Sequence, residues 1–280
     1  MSSKKKRIGI IVTLLLFIAL TVGGILAGSG EKSESIKETM LDAVLHESNK
    51  ISFLGLSVNP AFISALTVTA VLLLAAACIR IFVIPRFKQI PGRFQLLLET
   101  MVGFFDNMAK TNSPHRNRFL GAYLFSAGAY IFVGTIFELF GFQVITTAGT
   151  SITMPAPLSD INGAIALGCL SYGIIMSGGI ASNGLGGVGR TLKDFSLPIS
   201  MSFRLFGALL SGLLVTELVY YYLTLSFVIP VVVGVLFTLL HALIQTYVLI
   251  TLTSVFYGEV SEPKVKKAKK EKSGRRPAAA

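Results

Sequence analysis

No tryptophan occurs among the 280 residues, cysteine appears twice, and only 14% of the residues are charged. Each scarcity excludes something. Without tryptophan, anchoring at a membrane interface falls to tyrosines such as Tyr220, Tyr221, Tyr222 and Tyr257. Cys78 and Cys169 lie in separate apolar runs, so they form neither a disulfide framework nor a metal-ligand pattern and read as small core residues. His46, His115 and His241 are too scattered for an obvious metal centre. No phosphate loop, zinc signature or nucleophile elbow appears, so nothing calls for a cofactor or for covalent catalysis. The low charge also excludes a soluble domain of this length: 52% of the residues are hydrophobic and the mean hydropathy is +0.72. The chain reads as an all-α polytopic membrane protein.

A net charge of +11 in a soluble protein would suggest nucleic acid. Here Lys and Arg concentrate at the ends of apolar segments and in the tail, so membrane lipid is the implied partner and nucleic acid is not. Residues 1–29 open with MSSKKKR, continue as an apolar run from Ile8 to Leu20, and offer Ala27 and Ser29 at a cleavage position. A removable signal peptide and a retained N-terminal anchor both fit. Residues 30–59 are acidic and extracytoplasmic on either reading, residues 60–258 form the membrane domain, and residues 259–280 are a basic, disordered cytoplasmic tail.

Within the membrane domain the apolar runs Ala61–Ile84, Phe119–Ile145, Ile161–Ala181, Leu197–Ser226 and Val228–Tyr257 are each long enough to cross about 30 Å of hydrocarbon at about 1.5 Å per residue. The last two exceed that length and are expected to tilt or curve. Cations give the sidedness. Arg86, Lys88, Arg93, Lys110, Arg116 and Arg118 follow the first run, none follows the second, and Arg190 and Lys193 follow the third. Five spans with a cytoplasmic C-terminus satisfy this alternation. Phe94–Met108, interrupted by Glu99 and Asp106, is expected to be an amphipathic helix on the cytoplasmic surface.

GLGGVG at 184–189 matches the letters of a dinucleotide fingerprint, but no strand precedes it and no acid follows about twenty residues on. It is expected to form a turn between spans. Arg204 stands out. From Phe195 to Tyr257 it is the only cation charged at all pH values, and a charge within a span costs about 2.5–3.5 kcal/mol on insertion scales. Snorkelling to the interface is the bland alternative. At about 100° per residue, Arg204 shares its face with Ser200, Gly207, Ala208, Ser211 and Gly212. All are small, so another helix can approach closely, and an anionic partner on another subunit suits the charge. On the last span Thr238, His241 and Gln245 form a polar stripe that continues as Leu249 and Leu252. With Glu217, about 20 Å from Arg204 along its helix, the stripe suggests a wet path from outside to mid-membrane. Asp160 and Asn162 open the third span as the mouth of that path or as a helix cap.

PISMSFRLFG (198–207), ALIQTYVLITLTSVFYGE (242–259), SDING (159–163), GLGG (184–187) and IPGRFQLLLE (90–99) resemble subunit a of F-type ATP synthases, the static partner of the rotating c-ring. They are spread in family order, and the bacterial and plastid branch is nearest. The resemblance implies long last helices tilted against a c-ring, Arg204 as the essential arginine and Gln245 as its partner. It further implies c subunits, peripheral-stalk b subunits and the catalytic head as partners, and a bacterial inner membrane as the location. The chain departs from the family at Ala208, where Asn is usual, and at Leu213, where an acid is usual. Glu217 lies one turn beyond the acid's slot, and His241 lies one turn nearer Gln245 than the family's polar residue, whose slot holds Thr238. An ion channel or secondary transporter using Arg204 to bind substrate is the competing reading, though no inverted repeat is visible. A purely structural role requires Arg204 to be dispensable.

Overall fold

A chain crossing lipid has to satisfy its backbone hydrogen bonds internally, so long apolar runs become helices. The computed structural model describes residues 11–16, 18, 19, 22, 51–53, 56–145, 151–221 and 229–263. The expected N-terminal anchor, most of the acidic segment and the basic tail therefore fall largely outside the described residues. A small antiparallel hairpin, β1 (Ile51–Phe53) with β2 (Leu56–Val58), precedes α1 (Pro60–Cys78). Pro60 fits the first helical turn, and the Asn59 side chain caps it by accepting from the Ala61 amide at 3.0 Å. The helix continues through a π turn (Ile79–Val83) and ends in a 3-10 turn (Ile84–Arg86) at Pro85, which lacks a donor.

The remaining helices are α2 (Arg93–Asn112), α3 (Arg118–Phe137), α4 (Ile161–Asn183), α5 (Leu185–Lys193), α6 (Ser196–Tyr221) and α7 (Ile229–Ser261). Among the described residues five helices are long and apolar enough to cross a membrane: Pro60–Arg86, Arg118–Phe140, Ile161–Asn183, Ser196–Val215 and Val231–Ser261. These match the five expected spans, with two local corrections. The second span stops at a 3-10 turn (Glu138–Phe140), because Gly141 takes a left-handed φ of 62°. The β-branched residues beyond it pair instead as β3 (Gln143–Ile145) with β4 (Ser151–Thr153). GLGGVG forms no simple turn: Gly184, at φ 58°, ends α4, and the rest begins the nine-residue α5. There Gly187 presses against the backbone of Gly179, a contact with no room for a side chain.

The core is shared by α3, α4, α6 and α7, with Leu124, Ile175, Leu205 and Ile250 among its buried members. α7 touches α2, α3, α4 and α6, whereas α1 stands at the side against α3 and the Pro157–Ser159 turn. Close approach of helices depends on glycine, as expected where lipid supplies no hydrophobic drive and packing decides association. A Cβ at Gly178 of α4 would lie 2.5 Å from the buried Tyr257 ring of α7. Gly178→Ala should therefore destabilise the protein by about 1–3 kcal/mol. Detergent-solubilised thermal melting checks this, and Tyr257→Leu in the same chain should recover most of the loss.

One end of the bundle carries the loops rich in Arg and Lys. There the C-terminal carbonyls of α7, which have no partner within their own helix, are capped from elsewhere in the chain. Asn183 Nδ2 donates to the carbonyls of Val260 and Glu262, each at 3.0 Å, and Arg190 donates to Glu262 at 3.2 Å. Asn112 donates to Ser254 at 2.6 Å, which pins the end of α2 to α7. This contact, with the buried Ala109, explains why α2 runs past the expected Met108. The β3–β4 hairpin marks the opposite end.

Candidate functional site

α6 divides into two faces. Met201 and Leu205 are 1% exposed and pack inward, while Ser200, Phe203, Arg204, Gly207 and Ser211 are exposed. The guanidinium of Arg204 thus stands on an open side of the bundle beside Ser200, Gly207 and Ser211, which take up almost no space, with the exposed Phe203 ring at its edge. A Cβ at Gly207 would meet nothing within 4 Å. Among the described residues the only ion pair is Lys110 with Asp106 on α2, so no carboxylate of the described chain answers Arg204.

The expected small-residue face is not uniform. On a helical wheel centred on Arg204, Ser200, Gly207 and Ser211 fall at about −40°, −60° and −20°, while Ala208 and Gly212 fall at about +40° and +80°. The first three are exposed and the last two are half-buried, because α7 covers the positive edge. A Cβ at Gly212 would lie 3.1 Å from His241 Nδ1 and 3.3 Å from its Cε1. Gly212 therefore belongs to the seam between α6 and α7. His241 is seated between it and Phe237, whose ring centre is 5.9 Å away.

That contact sets the register of the two helices, which run in opposite directions. Gln245 lies about 6 Å beyond His241 toward the basic end, and Arg204 lies about 12 Å beyond Gly212 in the same direction. Gln245 is buried, at 7% exposure, and its Oε1 has no hydrogen-bond partner among the described residues. Arg204 and Gln245 are thus offset by about one turn and do not bond to each other. Thr238 and His241 are half-buried on the hairpin side of Gln245, and the stripe then closes with Leu249 inside the core and the half-buried Leu252 packed against it.

Two further sequence candidates resolve differently. Asp160 caps α4, its carboxylate accepting from the Asn162 amide at 3.2 Å and from Asn162 Nδ2 at 3.3 Å. The backbone of Glu217 lies in the last part of α6, but its side chain is outside the described residues. Glu138, a half-buried acid in the 3-10 turn after α3, belongs to a turn that packs on α7. Its signal in the sequence was a lone carboxylate ending an apolar run, and only the tertiary fold brings that end to α7.

The family model described as ATP synthase A chain matches residues 63–258. The ATP synthase subunit a of Cereibacter sphaeroides (strain ATCC 17025 / ATH 2.4.3) is 27% identical over 199 residues, covering 67% of this chain and 76% of the relative. That of Histophilus somni (strain 129Pt) is 26% identical over 201 residues, covering 60% and 76%. That of Sulfurihydrogenibium sp. (strain YO3AOP1) is 27% identical over 183 residues, covering 60% and 82%.

Proposed function

The chain belongs to the ATP synthase A chain family, which places it in the membrane sector of a rotary ATPase, and from that premise we propose that Arg204 discharges the carboxylates of a passing c-ring. The supporting observation is a charged side chain on an uncovered face rich in small residues, with no ion pair among the described residues. A carboxylate arriving beside Arg204 has its pKa lowered by about 1–3 units, so it releases its ion into the route toward the basic end, which is cytoplasmic under the positive-inside rule. The fixed cation also bars direct leakage between the two sides.

Ions reach the ring from the hairpin end. Thr238, His241 and Gln245 line that route, with Glu217 replacing the acid absent at Leu213 and Glu138 supplying a second acid against α7. Asp160 and Asn162 stand at its rim, with Asp160 serving chiefly as a cap. Each charge crossing yields about 2.3 kcal/mol per 100 mV, so several crossings are needed for each ATP made in the catalytic head. The chain itself makes and breaks no covalent bond. The c-ring meets Ser200, Gly207, Ala208 and Ser211, while peripheral-stalk b subunits hold the chain still.

Cysteine cross-linking tests the assignment of faces. In assembled complexes lacking Cys78 and Cys169, a cysteine at Gly207 or Ser211 should cross-link readily to one beside the c-subunit carboxylate, and a cysteine at Leu205 should not. Cross-linking from position 205 but not from 207 or 211 would put the ring on the wrong side of α6.

A further inference from the structure

Between α1 and α2 the chain folds into an elbow that carries Arg80, Arg86, Lys88 and Arg93, all exposed. Three cations elsewhere at the basic end are engaged within the protein, Lys110 by Asp106, Arg116 by the Ala181 carbonyl and Arg190 by the Glu262 carbonyl, while Arg118 and Lys193 are exposed singly on other segments. Among the described residues the charged groups of the four elbow cations make no ion pair. The elbow is nevertheless a fixed structure. The Gln95 side chain accepts from the Lys88 amide at 3.1 Å and donates to its carbonyl at 2.9 Å, which ties the linker to the first turns of α2. Gln95 also donates to Glu99 at 2.7 Å, so the nearest acid in sequence is engaged by an amide and not by one of the cations.

Next to these charges the two helices are bare. Ile81 and Phe82, in the π turn that continues α1, are 62% and 58% exposed, and Phe94, Leu97 and Met101 of α2 are 57%, 53% and 47% exposed. The last three recur at a spacing that places them on one side of α2. We propose that the elbow seats anionic phospholipid, with Arg86, Lys88 and Arg93 holding the phosphate-bearing headgroup and the acyl chains lying along Phe82 and the Phe94–Leu97–Met101 side of α2. Charge complementarity selects this occupant. A zwitterionic lipid returns a cation to the same surface, an apolar protein helix leaves all four cations unanswered, and free phosphate makes no use of the apolar side. The positive-inside rule accounts for cations near a span but not for a pinned group of them left unpaired beside a bare apolar surface.

The absence of tryptophan supplies the test. Phe94→Trp gives the full chain a single such fluorophore, which can be read in vesicles of phosphatidylcholine and phosphatidylglycerol with bromine on the acyl chains of one lipid or the other. Brominated phosphatidylglycerol should quench with an apparent association constant about fivefold above that of brominated phosphatidylcholine, the effect of about 1 kcal/mol that one such cation contributes at an anionic surface. In the Arg86→Gln, Lys88→Gln, Arg93→Gln protein the ratio should fall to about one, and added inorganic phosphate should leave the original ratio unchanged. A Leu66→Trp reporter, placed far from the elbow on α1, should show no preference. Equal quenching by both lipids at Phe94→Trp, or a preference that survives the triple substitution, overturns the proposal. So does a preference abolished by phosphate, which would make the site one for the free anion, or shielding from both lipids, which would place a protein segment there.

Discussion

Arg204→Ala is expected to abolish ion-driven ATP synthesis while leaving the complex assembled. Both halves of that expectation have a physical origin. The side chain is exposed and has no ion pair among the described residues, so the fold loses little when it is removed. Its charge, by contrast, supplies the shift of about 1–3 pKa units that discharges a carboxylate, which corresponds to roughly a 10- to 1,000-fold change in the ratio of ionised to protonated carboxylate at a given pH. Removing the barrier between the two access routes should add a passive leak. Arg204→Lys should fail nearly as badly, because an ammonium is compact, strongly hydrated and lacks the planar fork of a guanidinium. Synthesis in inverted vesicles under an imposed ion gradient is the measurement, with the yield of purified complex as the control. Normal synthesis by the Arg204→Ala complex would remove Arg204 from the mechanism.

The lone arginine was legible in the sequence because its meaning is local. A charge among apolar residues needs no tertiary information to be conspicuous, and neither do five runs long enough to span a membrane. What sequence could not supply was the azimuth at which α7 packs on α6. Gly212 shares the general side of Arg204 on a helical wheel, yet it sits about 80° away, at the margin where a neighbouring helix decides between an open surface and a seam. The structure puts His241 there. The same reasoning covers Asp160, whose local geometry as a cap outweighs its place at a mouth, and Glu138, whose proximity to α7 depends on a contact between segments far apart in sequence. The end of the second span was missed for a shorter-range reason. Gly141 breaks the helix through its backbone conformation, although the residues after it remain as apolar as those before.

Because Gly207 and Gly212 fall on different surfaces, enlarging them should fail in different ways. A side chain at 207 enters open space in the isolated chain, so Gly207→Ala should be almost silent, and Gly207→Leu should assemble yet obstruct the moving ring. A side chain at 212 meets the imidazole of His241, so even Gly212→Ala should disturb the seat, and Gly212→Leu should force the helices apart. Overpacking of that kind costs about 1–3 kcal/mol, or roughly 5- to 150-fold if it falls on one step of ion transfer. Passive ion conduction through the membrane sector and ATP-driven pumping by the whole complex should both be measured in the two leucine variants. Both rates should drop about tenfold or more in each variant, and a second substitution distinguishes the causes. His241→Ala empties the space beside residue 212, so it should restore assembly and thermal stability to Gly212→Leu without restoring ion entry, since the imidazole itself is lost. The same His241→Ala should do nothing for Gly207→Leu, whose obstruction lies on the opposite edge of the α6 face. Equal rescue of both variants would show that the two glycines share one surface, and rescue of neither would show that His241 is not seated against α6.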